Sequence, residues 1–383
     1  MKNNEVIKII FICGALEPGR DGVGDYTRII AAELLNKGHH CTMIALNDMH
    51  LENIFEGSQT LLNNNIHVLR LPSNLSWEKR INLAKACIDH IKPDWLSLQY
   101  VPFAFDPKGL PFRLASHLKK IGGTIKWHVM FHELWVGMSK QSSLKELAWG
   151  LAQRHLTKRL IDRIKPVVVH THTELYKKHI EKFGIKCTLL PLPTNLPVLD
   201  PERVVQKMKN WPVNHNQIDI VIFGGIHAGA PVSQFAQEAA DYQKNRKSFL
   251  NLIIIGKKSI EQQHWIDVWK SFGLKVTHMG QLSEEQVSET LTDICFGIFT
   301  TPLVLVEKSS AVATMWAHGV NLLCVSRAWD ATGIDKLSGN PYHFDQYKEG
   351  GLSDFIEKRP DFSYMPSVPE VAQQLMSNLI NLE

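Results

Sequence analysis

The feature that most constrains the fold of this chain is an alternation of short apolar runs with longer segments that carry apolar residues at helical spacing. Residues 7–13 form an apolar, β-branched run that leads into a glycine-rich loop, and helical spacing then runs from Asp25 to a stop at Lys37 and Gly38. Residues 41–46 form a second strand-like run. This order is typical of a doubly wound α/β domain, in which ligands bind at the carboxyl ends of parallel strands. The sequence therefore predicts an α/β fold.

The alternation continues through both halves of the chain and predicts two domains. Further strand-like runs are 66–71, 95–99, 124–131, 167–169, 218–223, 250–255, 275–278, 295–300 and 321–326, and further helix-like segments are 77–91, 111–120, 144–164, 232–245, 261–272, 284–291 and 366–382. A chain of 383 residues is too long for one compact core, and five prolines cluster between positions 190 and 216, which is typical of a connection. The predicted parts are an N-terminal Rossmann-like domain at 1–195, a linker at 196–215, a C-terminal Rossmann-like domain at 216–365, and a terminal helix at 366–383 that could pack back on the N-terminal domain.

Composition and charge exclude several classes of protein. The hydrophobic content of 44% and the charged content of 21% are ordinary for a soluble globular enzyme. A net charge of +4 is too small to imply a nucleic-acid partner. The N-terminal apolar run contains Lys8 and lacks a small-residue cleavage site, so it predicts a strand and not a signal peptide, and no run approaches the length of a membrane span. The six cysteines are scattered singly, as in reduced cytosolic proteins. We therefore expect a cytoplasmic protein without a nucleic-acid partner.

One basic amphipathic segment, residues 140–165, leaves two interpretations open. It could be a helix that packs on the core and exposes a solvated basic face. It could also contact an anionic membrane or a lipid-diphosphate acceptor, which would place the protein peripherally at the inner membrane face.

A second stretch, residues 307–319, combines small polar residues with a helical apolar pattern. It predicts a loop followed by a helix whose first turn has unpaired N–H groups and the positive end of the helix dipole, which together suit a phosphate. Lys308 and the hydroxyls of Ser309 and Ser310 would add donors there. The alternative is an ordinary capped helix that packs its apolar residues into a core.

Taken in order, several segments resemble the GT-B glycosyltransferases, particularly the retaining group 1, family 4-like branch that uses nucleotide-sugar donors. Residues 19–28 and 34–40 are similar to the first glycine loop and helix of the family, and residues 98–102 to a second loop of its N-terminal domain. Residues 129–133 lie where the family carries a His-Asp pair at a strand end. The series 223–225, 255–256, 279–282 and 307–319 follows the order of the family's donor-site loops.

The resemblance implies a fold, an activity and a set of ligands. The fold would be two Rossmann-like doubly wound domains facing a cleft. The activity would be transfer of a sugar from a nucleoside-diphosphate sugar, with UDP or GDP, to a saccharide, lipid-linked or small-molecule acceptor in carbohydrate biosynthesis, with retention of configuration. No cofactor and no metal are expected, and the chain has no Asp-x-Asp pair.

The resemblance also assigns candidate site residues. Catalytic positions fall on His132 and Glu307. The donor diphosphate is expected at Gly22, Gly24, Gly224, Gly225, His227, Lys308, Ser309 and Ser310. The nucleotide is expected at Gly256, Lys257, Met279, Gly280 and Leu282, and the acceptor side at Arg20, Asp25, Tyr26 and Tyr100.

Two departures from the family pattern bear on donor recognition. The family's donor segment commonly has a second Glu eight residues after the first, whereas Met315 occupies that position after Glu307. Recognition of the ribose hydroxyls must therefore be altered or supplied elsewhere. The loop after the first C-terminal strand lacks the usual Arg and Lys, so His227 with Lys308 could supply that charge.

Three alternatives remain open at this point. A GT-B-like sugar-nucleotide epimerase or hydrolase would share the fold, and a non-catalytic nucleotide-binding scaffold is suggested by Met315 and by the missing Arg-Lys pair. A metallohydrolase is the third, because His170 and His172 lie on one strand face, a spacing that a metal site could use. Its further candidate ligands are His128, His132 and Glu133.

Overall fold

The computed structural model describes residues 6–194, 196–211, 216–334, 337–339, 341–362 and 366–381. The strands are β1 (Lys8–Cys13), β2 (His40–Asp48), β3 (Phe55–Leu61), β4 (Asn64–Pro72), β5 (Trp95–Tyr100), β6 (Lys126–Phe131), β7 (Val168–Thr171), β8 (Thr188–Leu189), β9 (Gln217–Phe223), β10 (Phe249–Ile255), β11 (Lys275–Gly280), β12 (Phe296–Phe299), β13 (Asn321–Cys324) and β14 (Asp345–Gln346). The helices are α1 (Gly22–Asn36), α2 (Trp77–Ile91), α3 (Pro102–Phe105), α4 (Leu114–Gly122), α5 (Leu144–Ile164), α6 (Glu174–Glu181), α7 (Pro201–Lys209), α8 (Val232–Arg246), α9 (Ile260–Ser271), α10 (Glu284–Asp293), α11 (Ser310–Ala317), α12 (Leu352–Glu357) and α13 (Val368–Ile380), with a 3-10 helix at Leu303–Lys308.

The chain forms two compact units, neither of them continuous in sequence. Unit 1 comprises Met1–Pro191, Asp330–Leu337 and Ser367–Glu383, and unit 2 comprises Leu192–Trp329 and Ser338–Pro366. Helix α13 packs against α1 within unit 1. Helix α7 lies inside the proline-rich stretch, where the sequence predicted a linker, and it packs against α10 of unit 2.

The sheet of unit 1 has the strand order β3-β4-β2-β1-β5-β6-β7-β8 among the described residues. Every neighbouring pair is parallel except β3 with β4, so the carboxyl ends of β1, β2 and β4 to β8 share one edge. Strand β5 is buried along its whole length and β1 along all but its first residue. Such near-continuous burial is typical of parallel strands that are covered on both faces.

Two helices of unit 1 have the ranges that the apolar pattern predicted, and both have clear caps. Helix α2 begins after Ser76, whose hydroxyl accepts a hydrogen bond from Lys79 N, and α5 begins with a reciprocal capping box between Ser143 and Glu146. Each ends at a lysine in the left-handed conformation, Lys92 for α2 and Lys165 for α5. The predicted ranges 77–91 and 144–164 are therefore confirmed.

The sheet of unit 2 has the order β11-β10-β9-β12-β13-β14, and all its described pairs are parallel. One core cluster includes Phe235, Trp265 and Trp269. A second includes Val312 and Met315 from α11. Fully burying one such side chain stabilises a fold by roughly 1.5–3 kcal/mol, so the apolar face of α11 contributes substantially to unit 2.

No described helix is both long and apolar enough to cross a membrane.

Candidate functional site

The predicted donor residues of unit 2 lie on loops at one edge of its sheet. Gly224 and Gly225 follow β9, Gly256 and Lys257 follow β10, and Met279 and Gly280 end β11, with Leu282 just beyond. Because these three strands are parallel neighbours, their carboxyl ends form one surface. Lys257 and Met279 are exposed there, whereas Leu282 is half-buried and packs against the core.

Backbone hydrogen bonds hold the three loops side by side. Gly224 N donates to Ile255 O at 3.0 Å, and Gly256 N donates to Gly280 O at 2.9 Å. Gly224 has φ +88° and Gly256 has φ +148°, both of which favour glycine. A Cβ on Gly256 would stand 3.0 Å from Gly224 O, and a Cβ on Gly224 would stand 3.0 Å from the Cβ of Ala311. The glycines therefore allow the β9 loop to approach the first turn of α11.

Helix α11 presents its N-terminus to this surface. Ser309 is the N-cap residue, and its Oγ accepts a hydrogen bond from Val312 N at 3.4 Å. Ser310 begins the helix, and Glu307 and Lys308 end the preceding 3-10 helix, where both are half-buried. The first turn of a helix carries unpaired N–H groups and a positive dipole end, so this arrangement can bind an anion.

Two positively charged side chains, Lys308 and Arg327, lie near the β9 loop. His227 N donates to the hydroxyl of Thr300 at 2.7 Å. Burial lowers the pKa of the His227 imidazole, and the positive charges of Lys308 and Arg327 lower it further. His227 is therefore neutral at pH 7, and the cations near it are Lys308 and Arg327.

Arg327 was not among the predicted site residues. It follows β13, and its side chain lies close to the β9 loop, since a Cβ on Gly229 would stand 3.4 Å from Arg327 Cδ. Its position shortly after a predicted strand at the same sheet edge was the signal that could have identified it.

Met315 does not lie on the ligand side of α11. Its side chain is fully buried and belongs to the same core cluster as Val312 and Trp316. A carboxylate at this position would be buried in apolar surroundings, so the position cannot serve the ribose hydroxyls in the way the family pattern implies.

The predicted residues of the first glycine loop make several contacts within unit 1. Asp25 accepts a hydrogen bond from Gly19 N at 3.0 Å and pairs with Arg28. Gly24 is buried, and a Cβ there would stand 2.8 Å from Ala15 O, so glycine is needed for the close approach of α1 to the loop after β1. Gly22 and Arg20 are exposed beside it.

Two predicted tyrosines are buried in unit 1. The Tyr26 ring lies edge-on to His132, with centroids 4.9 Å apart, and to His172, with centroids 5.4 Å apart. Burial raises the pKa of Tyr26, and it raises the pKa of Tyr100 to about 12. Both phenols are therefore protonated at pH 7. Tyr100 packs on Phe131, and its carbonyl accepts the N–H of His132 at 3.1 Å.

His132 is 6% exposed, and both of its ring nitrogens form hydrogen bonds. Nε2 lies 2.8 Å from Gln99 Oε1, and Nδ1 lies 2.9 Å from Nε2 of His172. A second pair of buried histidines, His128 and His170, is also hydrogen-bonded, with His128 Nε2 3.0 Å from His170 Nδ1. A metal ion would have to displace these bonds, and the described residues contain no group of three or more His, Cys, Asp or Glu side chains that could hold one.

Comparison with known proteins relates this chain to others through its fold. No family model and no curated protein matches the sequence. Among solved structures, HepE from Anabaena in complex with UDP and glucose matches with TM-score 0.56 and 13% identity over 98% of this chain and 96% of that one. The catalytic domain of starch synthase IV from Arabidopsis thaliana, bound to ADP and acarbose, matches with TM-score 0.56 and 12% identity over 99% of both chains.

A third match belongs to another reaction class. UDP-GlcNAc 2-epimerase from Methanocaldococcus jannaschii has TM-score 0.53 and 10% identity over 97% of this chain and 99% of that one. At these identities the matches establish the fold. The α/β fold with two parallel-sheet domains of the GT-B type, predicted from the sequence, is confirmed.

Proposed function

We propose that this protein is a glycosyltransferase that moves a sugar from a nucleoside-diphosphate sugar to an acceptor, with retention of anomeric configuration. The donor would bind unit 2, and the acceptor, a saccharide, a lipid-linked sugar or a small molecule, would bind mainly unit 1. The observation that supports the proposal is that the β9 loop, the N-terminus of α11 and the side chains of Lys308 and Arg327 lie together at one edge of the sheet.

The chemistry of glycosyl transfer explains why such a surface is useful. As the glycosidic bond breaks, negative charge develops on the phosphate oxygens of the leaving nucleoside diphosphate while the anomeric carbon becomes cationic. Preorganised N–H groups and cations that meet this developing charge stabilise the transition state more than the ground state. In this proposal Lys308, Arg327 and the α11 N–H groups do so without a metal ion, and Glu307 accepts hydrogen bonds from hydroxyls of the donor sugar.

A uridine nucleotide is the first donor to test, because HepE was crystallised with UDP and with UDP-glucose. The primary experiment measures thermal stabilisation by UDP, GDP and ADP, and then sugar transfer or donor hydrolysis with the matching nucleotide sugars in EDTA. We expect one nucleotide to stabilise the protein and its sugar conjugate to turn over. No response to any nucleotide or nucleotide sugar would refute the proposal.

Substitutions at this surface test whether the activity depends on it. Lys308→Ala and Glu307→Ala should each lower turnover strongly while the protein keeps its fold. Lys275→Ala is the matched control, because Lys275 is an exposed lysine at the amino end of β11, at the opposite edge of the same sheet. Wild-type turnover in both Lys308→Ala and Glu307→Ala would refute the donor-site assignment.

An epimerase or hydrolase is the second candidate, favoured by the match to UDP-GlcNAc 2-epimerase. Such an enzyme would convert the nucleotide sugar without an acceptor. NMR of the products separates the three outcomes, since transfer yields a new glycoside, hydrolysis yields free sugar, and epimerisation yields an isomeric nucleotide sugar. Nucleotide binding without any turnover would instead indicate a non-catalytic scaffold.

We also propose that the protein acts in the cytoplasm, with α5 able to contact the inner membrane face. Leu144 and Leu151 of this basic helix are exposed. Exposed apolar groups beside lysine and arginine can insert at an anionic lipid surface. Sedimentation with anionic vesicles, but not with zwitterionic ones, is the expected result, and no binding to either would exclude membrane contact.

A further inference from the structure

A continuous chain of hydrogen bonds crosses the interior of unit 1 through seven side chains and ends on a backbone carbonyl. In order, its members are Asn378, His170, His128, Ser97, Gln99, His132, His172 and the carbonyl of Leu190. Six of the seven side chains belong to buried residues on or just after β5, β6 and β7, and Asn378 lies on α13. A buried chain of this kind must match every donor to an acceptor.

The outer half of the chain is electrically neutral. Asn378 Nδ2 lies 2.7 Å from His170 Nε2, His170 Nδ1 lies 3.0 Å from His128 Nε2, and His128 Nδ1 lies 2.7 Å from Ser97 Oγ. Burial lowers the pKa of His170 to about 4 and holds the pKa of His128 well below its usual range, with His170 adding to the effect on His128. Each of these two rings therefore carries one N–H at pH 7.

The inner half begins at the amide of Gln99. Gln99 Nε2 donates to Ser97 Oγ at 2.8 Å, so its Oε1 faces His132 Nε2, also at 2.8 Å. His132 Nδ1 then lies 2.9 Å from His172 Nε2, and His172 Nδ1 lies 2.9 Å from Leu190 O.

The hydrogen bonds of the inner half need more ring hydrogens than two neutral imidazoles supply. The Leu190 carbonyl can only accept, so His172 Nδ1 carries a hydrogen, and the Gln99 oxygen can only accept, so His132 Nε2 carries another. One further hydrogen is needed between the two rings to make their mutual bond. Two neutral imidazoles supply one N–H each, so three hydrogens mean one extra proton and a charge of +1 on the pair.

A half-turn of the Gln99 amide removes that imbalance. Its NH₂ group would then donate to His132 Nε2, and its oxygen would accept the Ser97 hydroxyl. Every remaining bond then runs in one direction, from the Asn378 amide to the Leu190 carbonyl, and all four imidazoles are neutral. The two amide orientations therefore correspond to two protonation states.

We propose that His132 and His172 act as one proton-sharing pair whose charge is coupled to the orientation of the Gln99 amide. With the Gln99 oxygen towards His132 the pair holds an imidazolium, and with the NH₂ group towards it the pair is neutral. Gln99 and His172 are thus positioning residues that set the protonation state of His132. The pair places a switchable positive charge at the carboxyl edge of β6 and β7, where it favours an anionic ligand.

The surroundings of the pair include one aromatic ring and two carboxylates that are close to it in the chain. The Tyr26 ring meets both imidazoles in a T-shaped arrangement, with ring centroids 4.9 Å from His132 and 5.4 Å from His172. Among the described ionisable residues, Tyr26 on α1 contacts both rings, Glu133 directly follows His132 in the chain, and Glu174 begins α6 two positions after His172. Asp25, also on α1, is paired with Arg28.

The direct test is NMR of the full chain with ¹⁵N-labelled histidine, titrated over roughly pH 5 to pH 8, the range in which histidine changes charge. We expect the signals of His132 and His172 to titrate together, with three nitrogen-bound hydrogens between them on the acid side and two on the basic side. Signals of His128 and His170 should remain those of neutral rings. A pair that stays neutral throughout, or two rings that titrate independently, would overturn the inference, and the wild-type protein alone decides this.

Variants test the coupling to Gln99. In Gln99→Glu the carboxylate accepts the His132 N–H in either state and adds a negative charge, so the midpoint of the pair should rise by at least about one pH unit. Asn378→Ala is the matched control, because it removes the outer end of the chain and leaves the inner count unchanged, so the midpoint should not move. An unchanged midpoint in a folded Gln99→Glu protein would contradict the coupling.

The consequence for turnover rests on the proposed function and is read separately. In Gln99→Glu the pH profile of kcat/KM should shift in the same direction as the NMR midpoint. Absence of any turnover in the wild type would refute the proposed function and leave the NMR result standing. A pair that is neutral by NMR would refute this inference even in an active enzyme.

Discussion

The carboxyl edges of the two sheets occupy equivalent places in the two units but are built in opposite ways. In unit 2 the edge consists of glycine loops, a helix N-terminus and the cations Lys308 and Arg327. In unit 1 the edge holds His132 and His172, two buried imidazoles bonded to each other. The first edge is built from backbone groups and two cations, whereas the two imidazoles at the second are hydrogen-bonded to other groups within unit 1. The same topological position can therefore be built from loop backbone or from buried polar side chains.

The largest effect is expected on the stability of unit 2, for a substitution at the buried residue Met315. Met315→Glu would bury a carboxylate among apolar side chains and should destabilise unit 2 by at least about 3 kcal/mol. Met279→Glu is the control, since Met279 is exposed at the same edge and should change stability by no more than about 0.5 kcal/mol. Urea denaturation measures both, and a fully stable Met315→Glu protein with stronger nucleotide binding would show that position 315 faces the ligand after all.

The next effect tests the two cations at the carboxyl edge of unit 2. Replacing both Lys308 and Arg327 with Ala should lower kcat/KM by about 10²- to 10³-fold, because in the proposed reaction each cation meets charge that develops on the leaving group. Lys275→Ala, at the amino edge of the same sheet, should stay near the wild-type rate. Steady-state kinetics with the preferred nucleotide sugar provide the measurement. A loss below about threefold in the double variant would mean that the backbone alone binds the diphosphate.

For unit 1 we expect a loss of folding stability in acid. Its size is similar to the effects above, and its cause is protonation of a buried histidine. His170 is neutral when folded, with its pKa lowered to about 4, whereas an unfolded histidine titrates near 6.5. The unfolded chain therefore binds more protons between these values, and stability that is present above pH 6.5 is lost as the pH falls, by about 3 kcal/mol for this group at pH 4. Unfolding measured from pH 7 to pH 4 should show this loss. In His170→Asn the loss should be smaller, and an identical pH dependence would contradict the assignment.

The smallest effect tests how the β9 loop is held. Thr300→Val removes the oxygen that accepts the His227 N–H and should weaken nucleotide binding by about 1 kcal/mol, or fivefold. Thr301→Val changes the adjacent hydroxyl and is the control. Calorimetric titration with the preferred nucleotide distinguishes the two. Equal affinities would mean that the loop keeps its conformation without that bond.

Apolar periodicity was sufficient to predict the elements that are buried on a regular face. The ranges 77–91 and 144–164 agree with α2 and α5 because those helices have clear caps and an apolar stripe. Strand β3 escaped prediction because its residues are mostly exposed and give no apolar alternation. Helix α7 escaped because the surrounding prolines indicated a connection, although Pro201 occupies its first turn, where proline is tolerated.

The candidate site was less predictable because its parts are distant in sequence. The glycine loops and α11 could be identified from local pattern, whereas Arg327 gave only the weaker signal of following a predicted strand, and its place beside the β9 loop depends on the packing of β13 in the sheet. The hydrogen-bond chain of unit 1 joins side chains up to 208 positions apart, as in the contact of Asn378 with His170. No local pattern encodes such a contact, since it arises only when the strands are in register and α13 is in place.

That last contact has a consequence for how the protein is made. Asn378 of α13 bonds to His170, and Gln374 of the same helix donates to the carbonyl of Leu189. Ribosomes release a chain from its N-terminus onward, so the strands of unit 1 are synthesised before unit 2, while α13 follows unit 2. Of the two units, the one whose strands are synthesised first is therefore completed only after the other has been synthesised, and the surface that α13 covers stays uncovered until synthesis reaches the end of that helix.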